Sequence, residues 1–339
     1  MTTVITGPAL ITWNSITWFS QGDVTVMFDR QTTQLASSAH GHFATRHKSG
    51  KITISFTPVG RRAEVVGALS WFDGKLPGQS LVPGGTGAEK ALVIQPMHNS
   101  GSSSRIWTFT RAGLTGMGTC KPGASQTQMG ALTFTALESI VSAGTYFTTA
   151  VYAAPGSTLV DDFDPAQIPT LALEAVWAND PGTLASGDYV LEAEDGWNIE
   201  PNVSSNEHFR EECGIADITF ADFRPSVSGD VSAWKDHAAA LVGEQTFPTL
   251  MPFSSVRPGQ EATRKMLSLR AITNDTTGGG VVVSDGDILW QLPKAELIAT
   301  GYNWSGTGKS RYGQVSFTGV PVFASGVRSL GLVKDAQDG

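Results

Sequence analysis

One stretch of this sequence occurs twice, and the repetition limits the folds open to the chain. Residues 106–137 read IWTFTRAGLTGMGTCKPGASQTQMGALTFTAL; 183 positions on, without a gap, residues 289–320 read LWQLPKAELIATGYNWSGTGKSRYGQVSFTGV. Identical pairs are Trp107/Trp290, Ala112/Ala295, Leu114/Leu297, Gly118/Gly301, Gly123/Gly306, Gly130/Gly313, Phe134/Phe317 and Thr135/Thr318. Between them the substitutions are mild: Ile106/Leu289, Phe109/Leu292, Arg111/Lys294, Leu132/Val315. Apolar residues alternate at 107 and 109 and at 132 and 134, the period of half-buried strands. The middle of each copy (KPGAS and SGTG) is turn chemistry. Each copy therefore predicts antiparallel strands ending in a hairpin. A unit this long points to two similar domains, since the repeats of solenoids run to only about 20–50 residues.

Other matches follow in the same order. Residues 51–57, KITISFT, alternate Ile52, Ile54 and Phe56 and predict a strand, stopped by Pro58 and Gly60. Residues 61–72, RRAEVVGALSWF, place Val65 or Val66, Leu69 and Phe72 on one face at helical spacing. The same reading predicts a second helix over 231–242, VSAWKDHAAALV, following ITFADF at 218–223 and matching Trp71 with Trp234, 163 positions apart. The Pro/Gly-rich loop 73–89 has its counterpart at 244–263. Pro83/Pro258, Gly84/Gly259, Lys90/Lys265 and Leu92/Leu267 then match 175 positions apart. At the N-terminal end, GDVTV (22–26) lies beside DGWNI (195–199). Residues 9–13 and 24–28 predict strands, and the polar residues 29–50 a loop. Residues 138–170 join the halves, and 321–339 end as a loose tail.

The chain has 339 residues, enough for two domains that each bury a core. The boundaries fall at 1–150 for the first, 151–167 for a linker and 168–339 for the second. Charged residues are 16% of the total against a typical quarter, and with 38 glycines this favours a mainly β protein rich in turns. No apolar run of about 18 residues is present, so no membrane span is expected. The N-terminus lacks the basic start and apolar core of a signal peptide. Cys120 and Cys213 lie in different halves and do not correspond, so free thiols in a reducing cytoplasm are expected. The net charge of −8 divides unevenly. Residues 1–160 hold 11 Lys/Arg and 6 Asp/Glu (+5), and residues 161–339 hold 12 and 25 (−13). Unlike halves of this kind can attract each other around an assembly.

Sites of chemistry are weak. SGTGKS (305–310) has the end of a phosphate-binding loop, but Asn303 stands where that pattern needs Gly, and a strand-like run follows instead of a helix. A hairpin turn is the simpler reading. His40, His42, His47 and His98 could gather around zinc, and Asp161, Asp162 and Asp164 around calcium, but neither set has the spacing of a known site. No nucleophile–base arrangement stands out, and a carboxylate pair of the glycosidase kind is not singled out among the many acids. No catalytic residue, cofactor or metal is assigned.

The order of these segments resembles the tail tube (major tail) proteins of long-tailed bacteriophages. The residues that carry the resemblance are GPALITWNSITWFSQGDVTV, KITISFTPVG, the helix ending LSWF, the loop LPGQSLVPGG, the strand EKALVIQP and the hairpin from TRAGLTG to LTFTAL. It covers most of residues 7–137 and, more faintly, 168–322; the joining segment and the start of the second half depart from it.

The resemblance implies two tandem β-sandwich domains, each with one short flanking helix. It implies a ring of three chains, pseudo-hexameric, stacked into a tube through which viral DNA passes without specific binding. Other tail proteins are implied as partners, the virion as location and the host cytoplasm as place of synthesis. It also implies that loops touch neighbouring subunits or rings, through Leu76, Pro77, Gly78, Leu81 and Val82 in the first half and Phe247, Pro248, Met251, Pro252 and Phe253 in the second. An acidic second half could line a channel along which DNA slides without sticking. The alternatives are a tail-tip or baseplate ring on the same fold, a two-domain carbohydrate-binding protein or glycosidase using some of the nine Trp, and a nucleotide-binding enzyme using SGTGKS.

Overall fold

The computed structural model describes residues 2–5, 7–39, 41–59, 62–84, 88–97, 105–121, 129–142, 144–152, 173–179, 188–193, 195–210, 214–236, 264–271, 288–300, 314–324, 327–329 and 333–335. The first half opens on β1 (Thr2–Ile5) and the hairpin of β2 (Ala9–Trp13) and β3 (Ile16–Phe19). Asn14 and Ser15 turn it with φ of 50° and 65°. Positive φ at both central positions gives the turn whose twist suits two paired strands. A long hairpin, β4 (Val24–Ser37) and β5 (Gly41–Phe56), leads to α1 (Arg62–Phe72). Val65, Leu69 and Phe72 face the core, as their spacing requires. Then come β6 (Leu92–Pro96), β7 (Arg105–Phe109), β8 (Arg111–Met117), β9 (Leu132–Leu137) and β10 (Phe147–Val151). They complete two five-stranded antiparallel sheets, β1-β4-β5-β9-β8 and β10-β7-β6-β2-β3.

The second half contains β11 (Leu173–Ala178), β12 (Tyr189–Ala193), β13 (Asn198–Glu200), β14 (Val203–Arg210), β15 (Gly214–Phe223), β16 (Ser226–Asp236), β17 (Arg264–Ala271), β18 (Ile288–Thr300) and β19 (Gln314–Gly319). Three short strands follow: β20 (Val322–Ala324), β21 (Val327–Ser329) and β22 (Val333–Asp335). The order β12-β11-β17-β18-β19-β16 closes on itself, because β16 also pairs with β12. The protein is thus mainly β with several sheets. The sandwich expected of the second half is instead a six-stranded barrel, and one continuous core cluster runs through both halves.

Three expectations are corrected. Residues 226–236 form β16, so the helix predicted from 231 is a strand as far as 236, and residues 237–242 lie outside the described residues. The reason is a single position. In the first half the strand stops at Pro58, which bridges Ser20 and has no N–H to donate onward. In the second half Val231 stands at the corresponding place, pairs with Ala193, and the strand runs on. Within the polar stretch 29–50 expected as a loop, residues 29–37 and 41–50 are instead the arms of the β4–β5 hairpin. The tail is not wholly loose, since β22 pairs with the start of β18.

The strand pairings recur at fixed separations. Leu114 opposes Phe134 as Leu297 opposes Phe317, 183 positions on, and a bulge follows between 114 and 116 and between 297 and 299. Ile94 opposes Trp107 as Leu269 opposes Trp290. Val26 opposes Ile54 and Ile54 opposes Phe134, just as Ile199 opposes Val227 and Val227 opposes Phe317. Ile54 and Val227 are 173 positions apart, so residues 218–223 are not the counterpart of KITISF; residues 226–229 are counterparts of 53–56.

Two tryptophans occupy one role. Trp13 donates its indole N–H to the Ala112 carbonyl at 2.9 Å and lies edge-on to Phe134 at 5.5 Å. Trp177 donates to the Ala295 carbonyl at 3.3 Å and packs on Phe317 at 6.1 Å. Both rings are fully buried. Trp13→Phe and Trp177→Phe should each lower stability by about 1–3 kcal/mol, because the buried carbonyl loses a donor and the smaller ring leaves space. Urea unfolding of each variant beside the parent checks this.

Candidate functional site

The two halves meet along the segment that follows α1, and the sequence explains how. After α1, Gly74 takes a φ of 78°, which lets the chain leave the helix. A tight turn follows. Gln79 N–H donates to the Leu76 carbonyl at 3.1 Å, the Leu76 N–H to the Gln79 side-chain carbonyl at 3.0 Å, and Gly78 has a φ of 88°. From there the backbone runs beside β15 of the second half. Gly78 N–H donates to Phe220 O (2.8 Å), Phe220 N–H to Gln79 O (2.7 Å) and Leu81 N–H to Ile218 O (2.8 Å). The Ser80 hydroxyl reaches Asp217 at 2.7 Å.

This strip is held from beneath by two glycines and an arginine. A Cβ on Gly113 of β8 would lie 1.8 Å from the Leu81 carbonyl oxygen, and one on Gly84 would lie 2.6 Å from Arg111 Nε. A side chain at Gly113 would have to move the strip itself, and one at Gly84 would displace the Arg111 guanidinium. Arg111 is buried and forks between the halves: Nη1 donates to Ala216 O at 3.1 Å, Nη2 lies 3.5 Å from Val82 O and 3.8 Å from Asp217. Phe72 of α1 meets Phe223 with ring centroids 6.0 Å apart, and Lys51 pairs with Glu207. Elsewhere on the joint Cys120 and Ile199 exchange both backbone hydrogen bonds, at 2.7 and 2.8 Å. Strand edges of one half are thereby closed by the other.

Beside the strip lies an open cleft of about 1020 Å³ that includes Pro77, Arg111, Ile140, His208, Phe209 and Phe220. Its rim carries exposed apolar groups, Ile140 (54%) and Phe209 (56%), with Leu76 (42%) on the adjoining turn. The His208 ring nitrogen Nε2 lies 2.7 Å from the Thr219 hydroxyl. Among the described residues no cluster of three or more His, Cys, Asp and Glu could hold a metal ion, and no helix is long and apolar enough to cross a membrane.

Of the residues expected at assembly loops, Leu81 and Val82 are fully buried, and the Leu81 N–H is bonded to Ile218 O of the second half. Pro77 and Gly78 line the cleft, and Leu76 is part-exposed. Phe247, Pro248, Met251, Pro252 and Phe253 lie outside the described residues, as do SGTGKS, His40, His98, Cys213 and the acidic linker. His42 contacts the Thr45 hydroxyl at 3.4 Å. Sequence reasoning missed Arg111, Asp217, Phe220 and Phe223. The alternation of Ile218 and Phe220 signalled a buried strand face, but nothing local says that the other half of the chain buries it.

Burial pushes the Cys120 thiol from 9.0 up to about 12, partly offset by a backbone hydrogen bond from Gly130. A raised value means the fold favours the neutral thiol. Its contribution to stability is whole below about pH 9 and declines as pH rises from there towards 12. In a Cys213→Ser background, Cys120 should resist a thiol reagent at pH 8 until the chain is unfolded; labelling followed by mass spectrometry checks this. Gly113→Ala should cost about 1–3 kcal/mol or more, since its clash is with backbone and not with a flexible side chain. Thermal unfolding, with proteolysis of the freed strip, reads that loss.

No protein-family model matches the chain, and no curated protein matches it either.

Proposed function

We propose that this chain is a structural virion protein, not an enzyme, made of two copies of one β domain and able to assemble head to tail into rings that stack as a phage tail tube. One observation carries the reading. Two sets of strands paired in the same order are already joined within the chain, the hairpin of the second lying against the strip, sheet and helix of the first. Such a contact uses different surfaces on its two sides, and contacts of that kind propagate until they close into a ring or run on as a filament. A ring of three chains would place six domains around a channel. The exposed Ile140, Phe209 and Leu76 beside the joint are apolar groups that neighbouring copies would cover. The resemblance of segment order to tail tube proteins adds the biological setting: viral DNA in the lumen, other tail proteins at the ends, and the virion as final location.

The test is negative-stain electron microscopy of the concentrated protein at neutral pH, with its mass by light scattering. Hollow filaments or stacked rings, in multiples of three chains, are expected. Single rings that never stack would move the assignment to a tail-tip or baseplate ring. A monomer at every concentration that is retained on a glycan column would overturn it in favour of carbohydrate binding.

A further inference from the structure

The hairpin that joins the halves has a twin. β14 and β15 pair with bulges between Ser204 and Ser205 and between His208 and Phe209. β4 and β5 pair with bulges between Gln31 and Thr32 and between Leu35 and Ala36, each 173 positions earlier. The ends correspond too: β4 stops at Ser37 and β14 at Arg210, β5 starts at Gly41 and β15 at Gly214. The two are the same device, yet they differ in what they meet. β15 buries Ile215, Ile218, Phe220 and Phe223, with Phe223 on Phe72 and the backbone of 218 and 220 bonded to the first half. On the twin, Thr32, Gln34, Ala36, His42 and Thr45 are exposed.

The surface that receives β15 also has a twin. The receiving face is β5-β9-β8, where Arg111 is 7% and Thr135 6% exposed. Its counterpart in the second half is β16-β19-β18. There Lys294 and Thr318, each 183 positions on from those two residues, remain half-exposed, as do Ser226, Ser228 and Ser316. Among the described residues one hairpin and one face are matched inside the chain, and one of each is left over.

We infer that the outer part of the β4–β5 hairpin, residues 32–37 and 41–45, docks on the β16-β19-β18 face of a second copy of this chain, as β14–β15 docks on β5-β9-β8 within it. The inference rests on the head-to-tail reading above and names its interface. The correspondence fixes the neighbours. Lys51 pairs with Glu207 inside the chain; the twins of those positions are Arg224 and Gln34, which meet between copies. Arg111 lies beside Asp217; the twins are Lys294 and Ala44. Arg224 has a highly exposed side chain and Gln34 is exposed, so both can be labelled before assembly. Glutamine stands where the intrachain contact has glutamate, so the interface between copies lacks one ion pair that the interface within the chain possesses.

Two single variants test this, Gln34→Cys and Arg224→Cys, each assembled alone and as an equal mixture, then treated with a short bismaleimide. The full-length parent chain is the control for its own two cysteines. A covalent dimer band formed in the mixture and in neither variant alone is expected, and the double variant should give a ladder. Assemblies visible by microscopy with no link above the parent would overturn this interface while leaving ring formation standing. Absence of any assembly by the parent chain would overturn both. A strong Gln34→Cys homodimer would also overturn it, since head-to-tail copies never bring that position onto itself. Independently of cysteine, Gln34→Glu restores the ion pair and should lower the concentration needed for assembly about two- to fivefold, while Gln34→Arg should raise it, each effect shrinking in high salt. Equal behaviour of the two charge variants would count against the assignment.

Discussion

A buried indole bonded to the backbone carbonyl of a distant strand ties each half together. Trp13 and Trp177 sit in an apolar interior, where an N–H left unpaired would cost about 1–3 kcal/mol. Each finds a backbone carbonyl on a distant strand, Ala112 or Ala295, and so fixes β2 against β8 and β11 against β18. Around that bond the large rings have little freedom. Phe134 meets Trp13, Trp18 and Phe56, and Phe317 meets Trp177. The strand register on either side follows from where those rings fit, because a slip of one residue would turn every inward side chain outward.

The second constraint is the strand edge. An antiparallel sheet that ends in solvent presents unpaired backbone groups to any other chain. The barrel of the second half removes most of its edges by closing β12 on β16. In the first half the corresponding closure is partial, resting on the Ser20 bridge to Pro58 and on Gln21 N–H to Thr57 O and Val59 N–H to Phe19 O, each 2.8 Å. The edge of β4 is covered by β1, and the edge of β13 by Cys120 from the other half. The joint between halves is therefore part of the same solution as the barrel: β15 lies against the strip of the first half, and Cys120 of the first half covers the edge of β13.

Much of this was legible in the residues. The alternation in KITISFT, the helical spacing of Val65, Leu69 and Phe72, and the repeat of residues 106–137 all correspond to elements that formed where expected. The separations of 175 and 183 read from sequence reappear in the pairings of Ile94 with Trp107 and Leu114 with Phe134 and their counterparts. The separation of 163, by contrast, rested on Trp71 and Trp234. The first lies on α1 and donates to the Leu114 carbonyl; the second lies on β16 opposite Leu191. A short apolar run is ambiguous between helix and strand, and the presence of Pro58 in one half and Val231 in the other decided it. The tryptophans that do correspond, Trp13 and Trp177, were passed over because their neighbours share nothing else.

Sequence alone determined that the chain is mainly β, that it carries one helix after KITISFT, and that its C-terminal blocks repeat. Those features depend on local period and on side chains that a core keeps within narrow limits of size. Tertiary structure alone decided that β16 closes a barrel, that β14 and β15 are the twin of the β4–β5 hairpin, and that Leu81 and Val82 are buried. Between residues 24–56 and 197–229 only Gly41/Gly214 and Ser55/Ser228 are identical, yet the bulges fall at the same places. Backbone hydrogen bonds hold a register that many side chains can satisfy, so pairing outlasts identity, and which surface covers which is settled only once the whole chain is in place.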